Sequence, residues 1–193
     1  MKYLIVFISL VLFSEMILGQ GKQVEVIMKD GSKLEGFAEI PDFGDKNIKF
    51  KTEESGKSQK IESKSIRTLI FKTDEETLEM EYLYCKMNET ITIVVEWGWL
   101  KVVSRGTVNM YKGCMPNPSG TTRRSENNFD YCYRGGEKYA LLIPTIGFAS
   151  KMSKFFDDYP ELSKKIKDKT DNYREANITE IIAEYNAWKE STK

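Results

Sequence analysis

Residues 24–71 read VEVIMKDGSKLEGFAEIPDFGDKNIKFKTEESGKSQKIESKSIRTLIF, short alternations of apolar and polar residues broken by turn residues four or five times in succession. That rhythm predicts a small, strongly bent antiparallel sheet. Val24, Val26 and Met28 fall on one face and Glu25, Ile27 and Lys29 on the other, because successive strand side chains point to opposite sides. Asp30-Gly31 then reverses the chain, and the pair predicts a type I′ turn with positive φ at both central residues. Leu34 and Phe37 flank Gly36, which marks a bend where the sheet curls. A second extended segment, Ile48 to Lys51, leads into the polar turn Glu53-Glu54-Ser55-Gly56-Lys57, and Ile61, Ile66, Leu69 and Ile70 complete the unit.

With Gly31, Gly36 and Asp42 in these places, residues 24–71 resemble a five-stranded SH3-like or Sm-like barrel, which sets a small β-barrel domain at residues 20–73. The RNA binding of Sm-like proteins does not follow, because no RNA-contacting loop motif is present.

Upstream, residues 1–19 carry one lysine, an apolar run from Tyr3 to Phe13 and a more polar end, SEMILG. This is the pattern of a secretory signal peptide, with cleavage expected after Gly19 or, alternatively, Gly21. The run is too short for a membrane-spanning helix, and nothing downstream approaches eighteen consecutive apolar residues. The expectation is an exported chain, periplasmic or outer-surface associated, with no integral span after cleavage.

Lysine and arginine number 29 against 29 acidic residues, so no basic footprint for nucleic acid exists. Histidine is absent. That removes His-assisted nucleophiles, His-based zinc sites and histidine pH switches. No cofactor or metal is expected. Of the three cysteines, Cys114 and Cys132 are the candidate disulfide pair, with Cys85 a buried free thiol; all three as core residues is the alternative.

Residues 74–145 resume the β pattern as a meander, with candidate strands 78–86, 91–97, 100–104, 107–112, 130–134 and 138–143. Gly98, Arg105-Gly106 and Gly135-Gly136 are among the turns expected between them. Trp97 and Trp99, two apart, share a face, as do Tyr82 and Tyr84. Such rings serve as a stacking platform for a sugar or a partner peptide, or as core; exposure decides. Residues 113–128 form the one long irregular segment, and its Arg123 and Arg124 are candidate binding residues. The paired carboxylates Glu53-Glu54, Glu75-Glu76 and Asp157-Asp158 sit in turns or helix starts, where solvated acids are ordinary.

After Pro144 the period changes to that of a helix, giving a tail over residues 146–193. Phe148, Met152, Phe155, Phe156 and Tyr159 form one apolar face; Pro160 opens a second helix, and Asn177 with Glu180 reads as a capping box for a third. These faces pack either on the chain's own β body or on a partner.

The tail's FFDDYPELSKK and ITEIIAEYNAW, together with Gly106, Val108 and Tyr111 in WLKVVSRGTVNMYKG, resemble a group of exported Bacteroidetes proteins with a β-rich body and a C-terminal helical tail. In that group a cysteine commonly precedes Pro-Glu-Leu, whereas here the residue is Tyr159. The resemblance implies an exported location and supplies no activity. The expectation is therefore a mainly β (α+β) protein: a small barrel, a meander and a helical tail. As to role, it is a non-enzymatic envelope protein binding another protein or a glycan, with a carboxylate-dependent hydrolase of envelope polymer as the alternative.

Overall fold

The computed structural model describes residues 21–72, 76–88, 93–114 and 128–193. The fold class is as expected: mainly β, with a helical C-terminal segment. The first five strands are β1 (Lys22–Met28), β2 (Lys33–Ala38), β3 (Asn47–Lys51), β4 (Gln59–Glu62) and β5 (Ile66–Lys72). They lie in the order β5-β1-β2-β3-β4, with a 3-10 turn, Ser63–Ser65, leading from β4 into β5. Alternation decides what is buried: Val24, Val26, Ile48, Phe50, Leu69 and Phe71 point inward and form the first core.

The turn after β1 differs from the type I′ expectation. Gly31 N–H donates to Met28 O at 3.1 Å and Met28 N–H to Ser32 O at 2.8 Å. Only Gly31, at φ 91°, is left-handed, so this is a three-residue loop ending in a glycine bulge. Asp30 instead turns its carboxylate onto Ser32, accepting from both N–H and Oγ.

The first unit keeps the five strands expected of the small barrel, and a further, closed ring of strands follows it. No ladder joins β4 to the far side of the first unit; the closed five-stranded barrel comes next, in what reads as a meander. Its strands are β6 (Thr77–Asn88), β7 (Ile93–Ser104), β8 (Val108–Cys114), β9 (Asn128–Arg134) and β10 (Ala140–Leu142). Short β10 lies antiparallel to β9 and parallel to β6, pairing Ala140 with Cys85 and Leu141 with Lys86. The physical reason is the length of β6. Its first residues pair with β5 (Met80 opposite Leu69) and residues further along with β10, so one strand serves both curved units. All ten strands are consequently one sheet, and the first core includes Met80, Tyr82 and Trp99 from beyond residue 73.

Gly98 is not a turn. Strand β7 runs straight through it, and a Cβ there would lie 2.2 Å from the Phe43 ring, so the missing side chain is the space that ring occupies. Phe43 thereby joins Cys85, Leu100, Tyr111, Tyr131 and Leu142 in the barrel interior.

Helices α1 (Phe148–Phe155), α2 (Pro160–Lys167) and α3 (Ile178–Ser191) pack on the outside of this barrel. Met152, Phe156, Leu162, Ile166, Ile181 and Tyr185 close over Val108, Met110 and Cys132 of β8 and β9. The tail faces are thus buried on the chain's own body, each large aliphatic side chain contributing about 1.5–3 kcal/mol. Asn177 occupies the N-cap position of α3, but its side chain makes no cap hydrogen bond, contrary to the capping-box expectation. The tail is held by specific docking contacts: Tyr185 donates to Asp158 at 2.7 Å, Tyr159 stacks on Trp188 at 4.4 Å, and Asn186 bonds Val108. Among the described residues no helix is long and apolar enough to cross a membrane.

Candidate functional site

Strands β6 and β7 place Tyr82 opposite Trp99 and Tyr84 opposite Trp97, so four rings share one face. Tyr82 meets Trp99 at 5.1 Å and stacks on Trp97 at 5.5 Å; Tyr84 meets Trp97 at 5.4 Å and Tyr139 at 5.3 Å. The row starts in the core. Trp99 is 2 % exposed, and its indole N–H donates to Asp45 O at 3.1 Å and to the buried Ser63 hydroxyl at 3.2 Å. Trp99 is therefore a structural anchor and not the binding residue expected. Tyr82 is also buried, and burial, with the charges of Glu96 and Asp45, raises its hydroxyl pKa. The row reaches the surface at Trp97, Tyr84 and Tyr139, each half-buried.

Cations gather at that outer end. The ammonium groups of Lys29 and Lys64 lie 5.5 and 5.4 Å from the centre of the Trp97 ring, and Lys138 lies 5.2 Å from that of Tyr139. Lys29 follows β1 and Lys64 belongs to the 3-10 turn; the two segments are tied by Lys29 N–H donating to Ser65 O at 2.9 Å. Beside the rings is a notch of about 260 Å3 that also takes in Arg67, Glu81 and Tyr133. It opens where the β5–β6 ladder ends at Met80, before β10 joins β6 at Cys85. Glu81 is already engaged, accepting from the Tyr111 hydroxyl at 2.7 Å and pairing with Arg105 at 2.8 Å. Burial and that carboxylate together push the Tyr111 hydroxyl pKa up.

A larger groove, about 760 Å3, runs between α1, α2 and the segment after α2. Exposed Lys154, Lys167, Lys169 and Arg174 line it together with Asp157 and Glu175. Its charges are of both signs on mobile-length side chains, and Tyr173, whose hydroxyl donates to Glu184 at 2.8 Å, contributes ring surface only at one wall. The smaller notch has fixed rings and one dominant sign of charge. It is the better-defined candidate site.

Cysteine chemistry is not supported. Burial pushes the Cys85 thiol up to about 12 and raises that of Cys132 as well, which keeps both protonated and weakly nucleophilic. The expected Cys114–Cys132 disulfide is contradicted: Cys132 is free and sits opposite Met110, four residues along β8 from Cys114. Four strand residues span roughly 13 Å, about twice the Cα separation a disulfide bridges. The Cys114 side chain, Arg123 and Arg124 lie outside the described residues. Burial raises the carboxyl pKa of Asp130 and Glu137, but neither lines the notch or the groove. Among the described residues no cluster of His, Cys, Asp or Glu could hold a metal ion.

Of the expected site residues that are described, Trp97 alone lies at this surface; Tyr84, Tyr139, Lys29, Lys64 and Lys138 complete it. The spacing of Tyr82 and Tyr84 signalled the row. Nothing local signals Tyr139, which arrives only through the pairing of β10 with β6. Comparison with models of protein families, with curated proteins and with solved structures finds no match.

Proposed function

We propose that this is an exported, non-enzymatic envelope protein that binds a surface glycan through the Trp97–Tyr84–Tyr139 face. The observation that carries the reading is the aromatic row, anchored in the core at Trp99 and emerging half-buried at Trp97 beside a ring-sized notch. Ring faces of this kind suit the C–H faces of a pyranose, and a rigid strand pair holds them in place without further ordering cost. Export is supported by the composition of residues 1–19. A glycan is favoured over a protein partner by the pattern of exposed apolar residues among those described. The exposed large hydrophobic residues described are Val103 on β7 and Ile146 ahead of α1, on separate elements, whereas protein-binding surfaces present contiguous apolar patches of several hundred Å2.

Affinity electrophoresis of the purified protein through gels containing envelope and capsular polysaccharides tests the reading. Retardation in at least one gel, lost on Trp97→Ala, is the expected result. Migration unchanged in every gel rejects it, and release of reducing ends during the run identifies the hydrolase alternative instead.

A further inference from the structure

Resting on the Trp97 face as a glycan-binding surface, we infer that its ligand is acidic: one carboxylated sugar ring of an anionic polysaccharide, seated in the notch with its carboxylate among the lysines. Three cations line the notch, Lys29 after β1, Arg67 on β5 and Lys138 ahead of β10, and a fourth, Lys64 in the 3-10 turn before β5, lies over the Trp97 ring beside it. The chain as a whole balances 29 basic against 29 acidic residues, so this concentration is a local arrangement and not a product of composition. Among the described residues none of the four is in a salt bridge; Lys29, Lys64 and Lys138 lie instead beside aromatic rings. The one acid in the notch, Glu81, is matched already by Arg105 and Tyr111. Glu96 and Glu62 bear on the neighbouring Tyr82 through their charge without forming a bond to it. An incoming carboxylate thus meets cations with no salt-bridged partner to displace.

The dimensions restrict the ligand further. At about 260 Å3 the notch is smaller than the roughly 300–1,000 Å3 typical of pockets for whole small molecules, so it holds one ring of a polymer while the neighbouring units lie across Tyr84 and Tyr139. An acidic peptide would use the charges and leave the row of rings without a role. A saccharide uses both.

The test is calorimetric titration of the protein, as purified from cells expressing the full chain, with oligogalacturonate, alginate and hyaluronate fragments, with the same fragments after carboxyl reduction, and with oligoglutamate. The acidic fragment that binds is expected to do so about tenfold more tightly than its reduced form, the effect of a few exposed charge contacts. Lys29→Gln with Lys64→Gln, or Lys138→Gln alone, should close that gap, while Trp97→Ala weakens acidic and reduced forms alike. The lysines are exposed, so unchanged circular dichroism of these variants separates loss of contact from loss of fold. Equal, Trp97-dependent binding of acidic and reduced fragments overturns the inference and leaves glycan binding standing. Oligoglutamate binding as tightly as the best saccharide overturns the saccharide class. No binding of any saccharide overturns both.

Discussion

Asn186 on α3 bonds both backbone polar atoms of Val108: its Oδ1 accepts from Val108 N–H at 2.8 Å and its Nδ2 donates to Val108 O at 2.9 Å. The β7–β8 ladder ends at Ser104 opposite Met110 after a register shift, so Val108 lies beyond the last strand partner on that side. The carboxamide takes the place of a strand and fixes α3 on the barrel. Asn186→Ala leaves a part-buried donor and acceptor unpaired, and about 1–3 kcal/mol of stability should be lost in urea denaturation. Gly106→Ala, whose Cβ would lie 2.3 Å from Nδ2, should disturb the same contact, so the two losses combined fall short of their sum.

Gly98 and Phe43 provide a second test of packing between distant segments. Gly98→Ala places a methyl group on the Phe43 ring in a filled barrel interior, and overpacking of this kind costs about 1–3 kcal/mol. Phe43→Leu alone should destabilise by leaving space, yet added to Gly98→Ala it should restore part of the loss. Additive losses in the double-mutant cycle would show that Phe43 does not rest on Gly98.

The difference between these two contacts and the strand pattern explains what was legible in the sequence. Alternation at Val24, Val26, Leu69 and Phe71, and the helical spacing of Phe148, Met152 and Phe156, are local signals enforced by burial of one face, and they place strands and helices correctly. Barrel closure through Ala140 and Cys85 joins residues far apart in sequence, in a strand of three residues that leaves no periodic trace. Gly98 looked like a turn because glycine usually marks one; here the absent side chain makes room for a ring from residue 43. The site was half legible for the same reason. Period two puts Trp97 and Trp99 on one face, but only the first five strands folding over Trp99 decide which of them reaches solvent.

Trp97 and Trp99 should accordingly separate in mutagenesis. Trp99→Phe removes the N–H donated to Asp45 O and to the buried Ser63 hydroxyl, which keep their own bond at 2.7 Å, and should cost about 0.5–1.5 kcal/mol in a denaturant titration. Trp97→Ala, on a half-buried position, should cost less while abolishing saccharide retention. A Trp99→Phe protein of unchanged stability would refute the anchoring role.

Cys85 gives an alkaline signature. Its thiol, pushed up to about 12 by burial, stays protonated in the folded chain while the unfolded chain ionises near the ordinary value of 9. A folded pKa above the unfolded one means the folded state holds the extra proton, so stability is unaffected below pH 9 and falls as pH rises from 9 towards 12. The slope attributable to this one group approaches about 1.4 kcal/mol per pH unit. Cys85→Ser keeps a small side chain without the thiol's ionisation and should flatten that part of the curve. In parallel, Ellman's reagent at pH 8, read by peptide mass spectrometry, should leave Cys85 and Cys132 unmodified in the native protein and modify both in denaturant. Labelling of Cys85 in the native state at the rate of an exposed thiol would contradict its burial inside the barrel, and with it the closure of β10 on β6.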